Sequence, residues 1–384
     1  MLRFFTAGES HGPCLTAIIE GLPAGLAIDT AAVDHDLARR QRGYGRGGRM
    51  RIEQDRVEVV SGLRFGKTLG SPLTLVIRNR DWEAWRDVMA PEGVPQGSAV
   101  TAPRPGHADL AGAQKYDHQD IRNVLERASA RETAARTAVG GVAKQLLAAA
   151  GIQLAAHVIR IGEASVRAEG PYAFAQVRHA ASAELGCLDP AAEAAMVRAI
   201  QAARDKGDTL GGTFEVMAAG VMPGLGSHVH WDRRLDARLA AALMSIPAVK
   251  AVEFGAGTQY AALPGSEAHD EILFAPARGF YRASNRAGGV EGGISNGEDV
   301  VARATMKPIP TLMTPLASVD LRTKQPVPAN SERSDVCAVP AAAVVGEAVA
   351  AIVLAEALLE KFGGDTLAEL IAAVGRYRER LGKP

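Results

Sequence analysis

Ile18-Ile19-Glu20-Gly21-Leu22-Pro23-Ala24-Gly25-Leu26-Ala27-Ile28-Asp29-Thr30, continued to Arg40, is the stretch from which the fold is read. It predicts a strand over 15–20, a glycine–proline turn over 21–26, and a helix capped by Asp29 or Thr30. Val33, Leu37 and Arg40 then follow at helical spacing. A second stretch, 216–243, has the same order: a strand, then Val221-Met222-Pro223-Gly224-Leu225-Gly226, a short insertion, and a helix on Leu235, Leu239 and Leu243. Each is followed by another strand. Two readings stay open: a duplicated β-α-β unit inside one pseudo-twofold fold, or chance similarity between Gly-Pro turns.

Working outward, β-branched or alternating runs predict further strands at 57–61, 73–77, 158–161, 213–217, 249–254 and 300–306. A long helix runs from about Ala130 through Ala134, Ala138, Val142 and Leu146 to a stop at Gly151. Asp189-Pro190 starts another, and Pro247 ends the one that carries Leu243 and Ile246. The last long helix begins near Pro340 and ends at Gly363-Gly364. Neither a linker nor a low-complexity tract divides the chain, so a single domain over 1–384 is expected.

Lys plus Arg and Asp plus Glu number 43 each, so no net field draws the chain to nucleic acid or to a membrane surface. Anion binding must then come from local clusters. Cys14, Cys187 and Cys337 are far apart and odd in number, which reads as reduced thiols. Residues 1–5 are too short a run for a signal peptide. The apolar run 338–359 carries Glu347 and Glu356 and reads as a buried helix rather than a membrane span. A cytoplasmic protein is expected.

Three motif matches fail on context. Gly8-Glu9-Ser10-His11-Gly12 fits the hydrolase nucleophile elbow, but Pro13 and a strand follow where a helix is needed. Gly43-Tyr44-Gly45-Arg46-Gly47-Gly48 has dinucleotide-binding spacing, yet it follows a helix and does not open one. Gly62-Leu63-Arg64-Phe65-Gly66-Lys67-Thr68 is one residue short of a P-loop and leads into a turn and a strand. No metal-ligand spacing appears; His228-Val229-His230 is a lone pair.

The densest surviving signal is 39–51, with six arginines among four glycines in thirteen residues. Glycine lets a backbone approach a ligand, and guanidinium forks bind phosphate or carboxylate. The rival, an RNA-binding arginine–glycine tract, lacks repetition and stacking aromatics. Arg104-Pro105-Gly106-His107-Ala108-Asp109 puts a histidine in a Pro-Gly turn, and His11 sits between glycines. Each reads as a proton-transfer group or as an exposed turn residue. Ser129 with Glu132 predicts a capping box on the long helix, flanked by Arg127 and Arg131 where an anion would bind. The glycine-rich 285–296 segment reads as tight turns or as backbone against a planar ligand. Lys307-Pro308-Ile309-Pro310-Thr311 offers a cation in a stiff loop. Asp335, beside Arg333, reads as a cap of the last helix or as an ionised catalytic carboxylate.

Together, the segments 8–12, 39–50, 104–109, 127–133, 207–212, 285–296, 307–311 and 333–339 resemble the chorismate synthase family in order and spacing over nearly the whole chain. The resemblance implies an α+β fold, a β-α-β sandwich with long helices between antiparallel sheets, assembled as a homotetramer. It implies a lyase that eliminates phosphate from 5-enolpyruvylshikimate 3-phosphate in the anti-1,4 sense to give chorismate. Reduced FMN is required without net redox change, with NADPH as a candidate indirect reductant and an external flavin reductase as in the bacterial type. By position, His11, His107 and Asp335 match catalytic residues. Ser10, Arg40, Arg46, Arg49, Arg131 and Arg333 match substrate contacts. Arg127, Ala128, Ser129, Pro247, Ala248, Gly292, Lys307, Pro308, Ile309, Pro310, Thr311 and Arg333 match flavin contacts. Arg40 and Arg46 are in some members assigned to NADP.

Overall fold

Alternation along Cys14–Glu20 and Leu73–Arg78 turns Leu15, Ala17, Ile19, Leu73, Leu75 and Ile77 to one buried face. The computed structural model, which describes residues 2–47, 54–94, 96–166, 172–276, 278–332 and 334–382, builds that face into a four-stranded antiparallel sheet. Its order is Arg3–Ala7, Cys14–Glu20, Leu73–Arg78, Glu58–Ser61. A second antiparallel sheet runs Val249–Phe254, Val300–Met306, Gly212–Ala219, Gln153–Ile161, Ala164–Ser165.

The wiring of the two sheets is the same. In each, a strand (Cys14–Glu20 or Gly212–Ala219) leads through a helix (Thr30–Gln41 or Leu235–Met244) to a strand two places away (Glu58–Ser61 or Val249–Phe254). A later antiparallel strand fills the gap, Leu73–Arg78 in one sheet and Val300–Met306 in the other.

Helices lie between the sheets. Thr133–Ala149 packs on the first sheet and Val339–Phe362 on the second, and the two helices pack on each other. Val339–Phe362 is long and apolar enough to cross a membrane, but it is buried almost all round, which accounts for its composition. The two helices meet closely at Gly140, where a Cβ would lie 2.4 Å from Ala348 Cβ. Charge is buried in the same layer. Arg39 and Lys144 both pair with Asp36 and Glu347, Glu347 meeting them at 2.9 and 2.7 Å. Burial alone would raise the Glu347 carboxyl, and Lys144 and Arg39 pull it down to about 2.

Most predicted elements appear within a residue or two of their expected bounds; the strand expected at 158–161 is longer and begins at Gln153. Asp29 caps its helix by accepting from Ala31 N–H at 2.9 Å. Two expectations need correction. Ser129 caps only a 3₁₀ turn, Ala130–Glu132, and Glu132 pairs with Arg136 rather than closing a box. Arg136 sits one turn on, and its charged fork outcompetes a neutral backbone amide. Asp335 does not cap Val339–Phe362, whose N-cap is Ala338.

Candidate active site

Arg40, on the last turn of Thr30–Gln41, points inward with 4% of its surface exposed. Its Nε donates to Thr133 Oγ1 and its Nη2 to Ala130 O, each at 2.9 Å, while Nη1 lies 3.6 Å from Asp55. Arg131 reaches the same carboxylate, Nη1 lying 2.7 Å from both Asp55 oxygens, and donates to Asn79 Oδ1 through Nε and Nη2. Asn79 in turn donates to Glu9 O and Gly12 O, fixing the Gly8–Gly12 loop against the arginines. Burial pushes the Arg40 guanidinium down from its ordinary value; Asp55 opposes this, and repulsion from Arg131 and Arg46 adds to it. An incoming anion would relieve that repulsion.

The arginine–glycine loop meets the C-terminal segment next. Arg46 Nη1 pairs with Asp335 Oδ2 at 2.7 Å, and Gly47 N–H donates to Oδ1 at 2.6 Å. Gly45 accepts from Val336 N–H. Its φ of +89° and a would-be Cβ 2.8 Å from Ile200 leave no room for a side chain there. Arg49 and Arg333 lie outside the described residues. A cavity of about 300 Å³ borders this loop at Arg39, Arg42 and Gly43, away from both histidines.

His11 is held by a residue that no local pattern announces. Glu126, buried on Arg122–Ala128, lies 2.9 and 3.0 Å from His11 Nδ1 through its two oxygens and accepts His11 N–H at 2.8 Å. Its carbonyl takes Ser10 N–H. Trp85 stacks on the imidazole at 3.9 Å, and Arg122 lies over Trp85. One residue on, Arg127 clasps Thr6 and Gly8 carbonyls, with Ala128 and Ser129 following.

His107 is built on the same plan. Its Nδ1 meets Asp109, which is fully buried and also receives Arg104 N–H, Nε and Nη2. Burial would raise the Asp109 carboxyl, but His107 and Arg104 hold it far below the carboxylate range. Arg104 Nη1 donates to Thr311 Oγ1 at 3.0 Å, and Lys307 Nζ to Gly106 O at 2.8 Å, so the 307–311 loop, with Pro308, Ile309 and Pro310, is stapled to the histidine turn. Burial and Lys250 lower the Lys307 ammonium. Lys307 N–H bonds to the carbonyl of Ala248, which follows Pro247 and has φ +71°.

Asn330, Glu332 and Asp335 link the two groups. Asn330 N–H reaches Ala102 O beside the histidine turn, Glu332 approaches Arg122, and Asp335 meets Arg46. Gly292 stands apart. Its neighbour Gly293 bonds to Leu235 at one end of Leu235–Met244, whereas Pro247 and Ala248 follow the other end, about 15 Å along the axis. Gly292 has φ +58° and open space where a side chain would project, which suits a flat ring laid on backbone. Lys307 and Arg127 are cations of the type a flavin phosphate needs, and both already donate to backbone carbonyls of the histidine loops.

Comparison with known proteins agrees over the full length. The family model described as chorismate synthase matches residues 2–359. A relative from Moorella thermoacetica, named chorismate synthase, is 60% identical over 384 residues, covering 99% of each chain. One from Desulforudis audaxviator with the same name is also 60% identical, covering 99% of this chain and 98% of its own. A solved structure titled "Crystal Structure of Chorismate Synthase" superposes with a TM-score of 0.82 at 44% identity, covering 99% of this chain and 98% of that one. On sequence and on fold alike, the chain belongs to the chorismate synthase family, enzymes that are carbon–oxygen lyases.

Proposed function

We propose that the chain converts 5-enolpyruvylshikimate 3-phosphate to chorismate by anti-1,4-elimination of phosphate, with FMN in its reduced form and no net redox change. The observation that carries this reading is the pair of histidines, each with Nδ1 on a buried carboxylate, with inward-facing Arg40 and Arg131 tied to the His11 loop through Asn79. The substrate bears a phosphate and two carboxylates, and a chain of zero net charge must meet them with local cations. Arg40, Arg46 and Arg131 take that role, with Ser10 beside His11 and with Arg49 and Arg333 as further positions. Positive charge already in place stabilises the departing phosphate as its charge grows. His11 and His107 each keep Nε2, the nitrogen opposite the carboxylate, for proton exchange, and one of them passes a proton to the phosphate. Arg46 exchanges Asp335 for the substrate's anion, which frees the Asp335 carboxylate to manage the proton lost from C6.

Arg127, Ala128, Ser129, Pro247, Ala248, Gly292 and the Lys307–Thr311 loop would hold the flavin. When bound, reduced FMN supplies the electron-rich partner that lets hydrogen and phosphate leave without net oxidation. The same reading makes the assembly a homotetramer in the cytoplasm, supplied by an external flavin reductase, with NADPH acting indirectly.

The test is anaerobic. Protein, 5-enolpyruvylshikimate 3-phosphate and either oxidised or dithionite-reduced FMN are mixed, and phosphate release and chorismate absorbance are followed. Product with reduced flavin alone, without net flavin oxidation, is the expected outcome. No product with either form rejects the reading.

A further inference from the structure

We infer that Glu126 is the positioning residue for His11, fixing the imidazole as its Nδ1–H tautomer so that Nε2 is the nitrogen that exchanges the proton. The kinetic part of this inference rests on the lyase reading above; the tautomer part stands on geometry alone.

The argument is one of donors and acceptors. A backbone N–H can only donate, so the bond from His11 N–H at 2.8 Å fixes Glu126 Oε2 as an acceptor. A guanidinium also can only donate, so Arg122 Nη1 at 3.2 Å fixes Oε1 in the same way. Both oxygens lie within 3.0 Å of His11 Nδ1. Facing two acceptors, Nδ1 must carry a hydrogen, whether the ring is neutral or charged. Burial would raise the Glu126 carboxyl, but the bond and charge of His11, with Arg122, keep it below its usual range. Two further contacts stop the ring from turning: Trp85 stacks on it with planes 26° apart, and Arg122 lies 5.0 Å over Trp85. A carboxylate that merely tied the helix Arg122–Ala128 to the Gly8–Gly12 loop would need only the backbone bond. The hold of Glu126 and Trp85 on the imidazole has a chemical result: Nδ1 is committed as a donor, which assigns proton exchange to Nε2.

Glu126→Gln tests this. Its carboxamide oxygen takes the His11 backbone bond, and its NH2 then replaces Oε1, the nearer oxygen to Nδ1, which favours Nδ1 as an acceptor. In protein labelled with ¹⁵N-histidine, with His11 assigned by its loss in His11→Gln, the wild type is expected as Nδ1–H and Glu126→Gln as Nε2–H. In the flavin-reduced assay kcat is expected to fall about 10²–10⁴-fold in Glu126→Gln, the usual span for loss of a proton-transfer group, with KM within threefold. Glu126→Asp keeps the charge and is expected to restore the Nδ1–H form and raise kcat at least tenfold over Glu126→Gln. A wild type in the Nε2–H form, or a kcat within threefold in Glu126→Gln, overturns the inference. If Glu126→Gln does not fold, the wild-type tautomer and the Glu126→Asp variant still decide. A wild type that shows Nδ1–H but turns over no substrate sinks the lyase reading and leaves the tautomer assignment standing.

Discussion

Arginines and histidines in this protein are held by partners far away in sequence. Arg131 meets Asp55 across 76 residues, His11 meets Glu126 across 115, and Arg104 meets Thr311 across 207. That is why the candidate groups were legible in the sequence while most of their partners were not. Clustered Arg and Gly, or His in a Pro-Gly turn, leave a local pattern; Asp55, Asn79 and Glu126 leave none. Asp109 is the exception, two residues from His107 in the same turn. The Arg46–Asp335 pair gives a prediction at this scale. Asp335→Ala is expected to lower kcat about 10²-fold with KM moving less than threefold, since Arg46 still offers its charge to an anion. Steady-state kinetics showing a raised KM and an unchanged kcat would make Asp335 a binding residue instead.

Whole elements were read where side-chain rhythm was strong. The strands Val249–Phe254 and Val300–Met306 match their expected bounds because β-branched runs flanked by breakers admit little else. The short helix Asp109–Tyr116, with only Asp109 and Ala113 buried, has no apolar stripe to betray it. Leu367–Arg380 does have a signal, the Thr366–Glu369 capping box, which lies past the Gly363-Gly364 stop where the reading ended. The strand–helix–strand order read at 15–40 and at 216–243 is present in both sheets. Two glycines make a matched prediction. Gly375, half-buried on Leu367–Arg380, has open space around a built Cβ, so Gly375→Ala should stabilise by about 0.5–1 kcal/mol. Gly140→Ala gains the same propensity but drives a methyl into Ala348, and should destabilise by about 1–3 kcal/mol. Urea unfolding of the two variants checks the opposite signs; stabilisation by both would deny the close helix contact.

Over the whole molecule, the buried carboxylates act in concert. Glu347, Glu126, Glu215 and Asp109 are all held below their ordinary values by cations or histidines. A carboxyl depressed in the folded state stabilises fully above its unfolded value and loses that contribution as pH falls through the folded one. For Glu347 the window runs from 4.5 down to about 2. Its share is on the order of 3 kcal/mol, from about 1.4 kcal/mol per pH unit. Thermal midpoints should therefore hold between neutrality and about pH 5 and fall below it. Glu347→Gln should lower the neutral midpoint and flatten that acid limb. An acid limb as steep in Glu347→Gln as in the wild type would show that the Arg39–Lys144–Glu347 cluster is not what acid undoes.

Val339–Phe362 lies at the centre of the sandwich yet comes after 338 other residues. At about 5–20 residues per second on a ribosome, the first sheet is synthesised well before the helix that fills the space between the sheets, and Val300–Met306 completes the second only shortly ahead of it. Asp335 and the 307–311 loop emerge only shortly before it. A nascent chain therefore carries an open, apolar interior for many seconds, and the site closes in the same late event that completes the core. A cell making this protein has an open interior to shelter until that helix arrives.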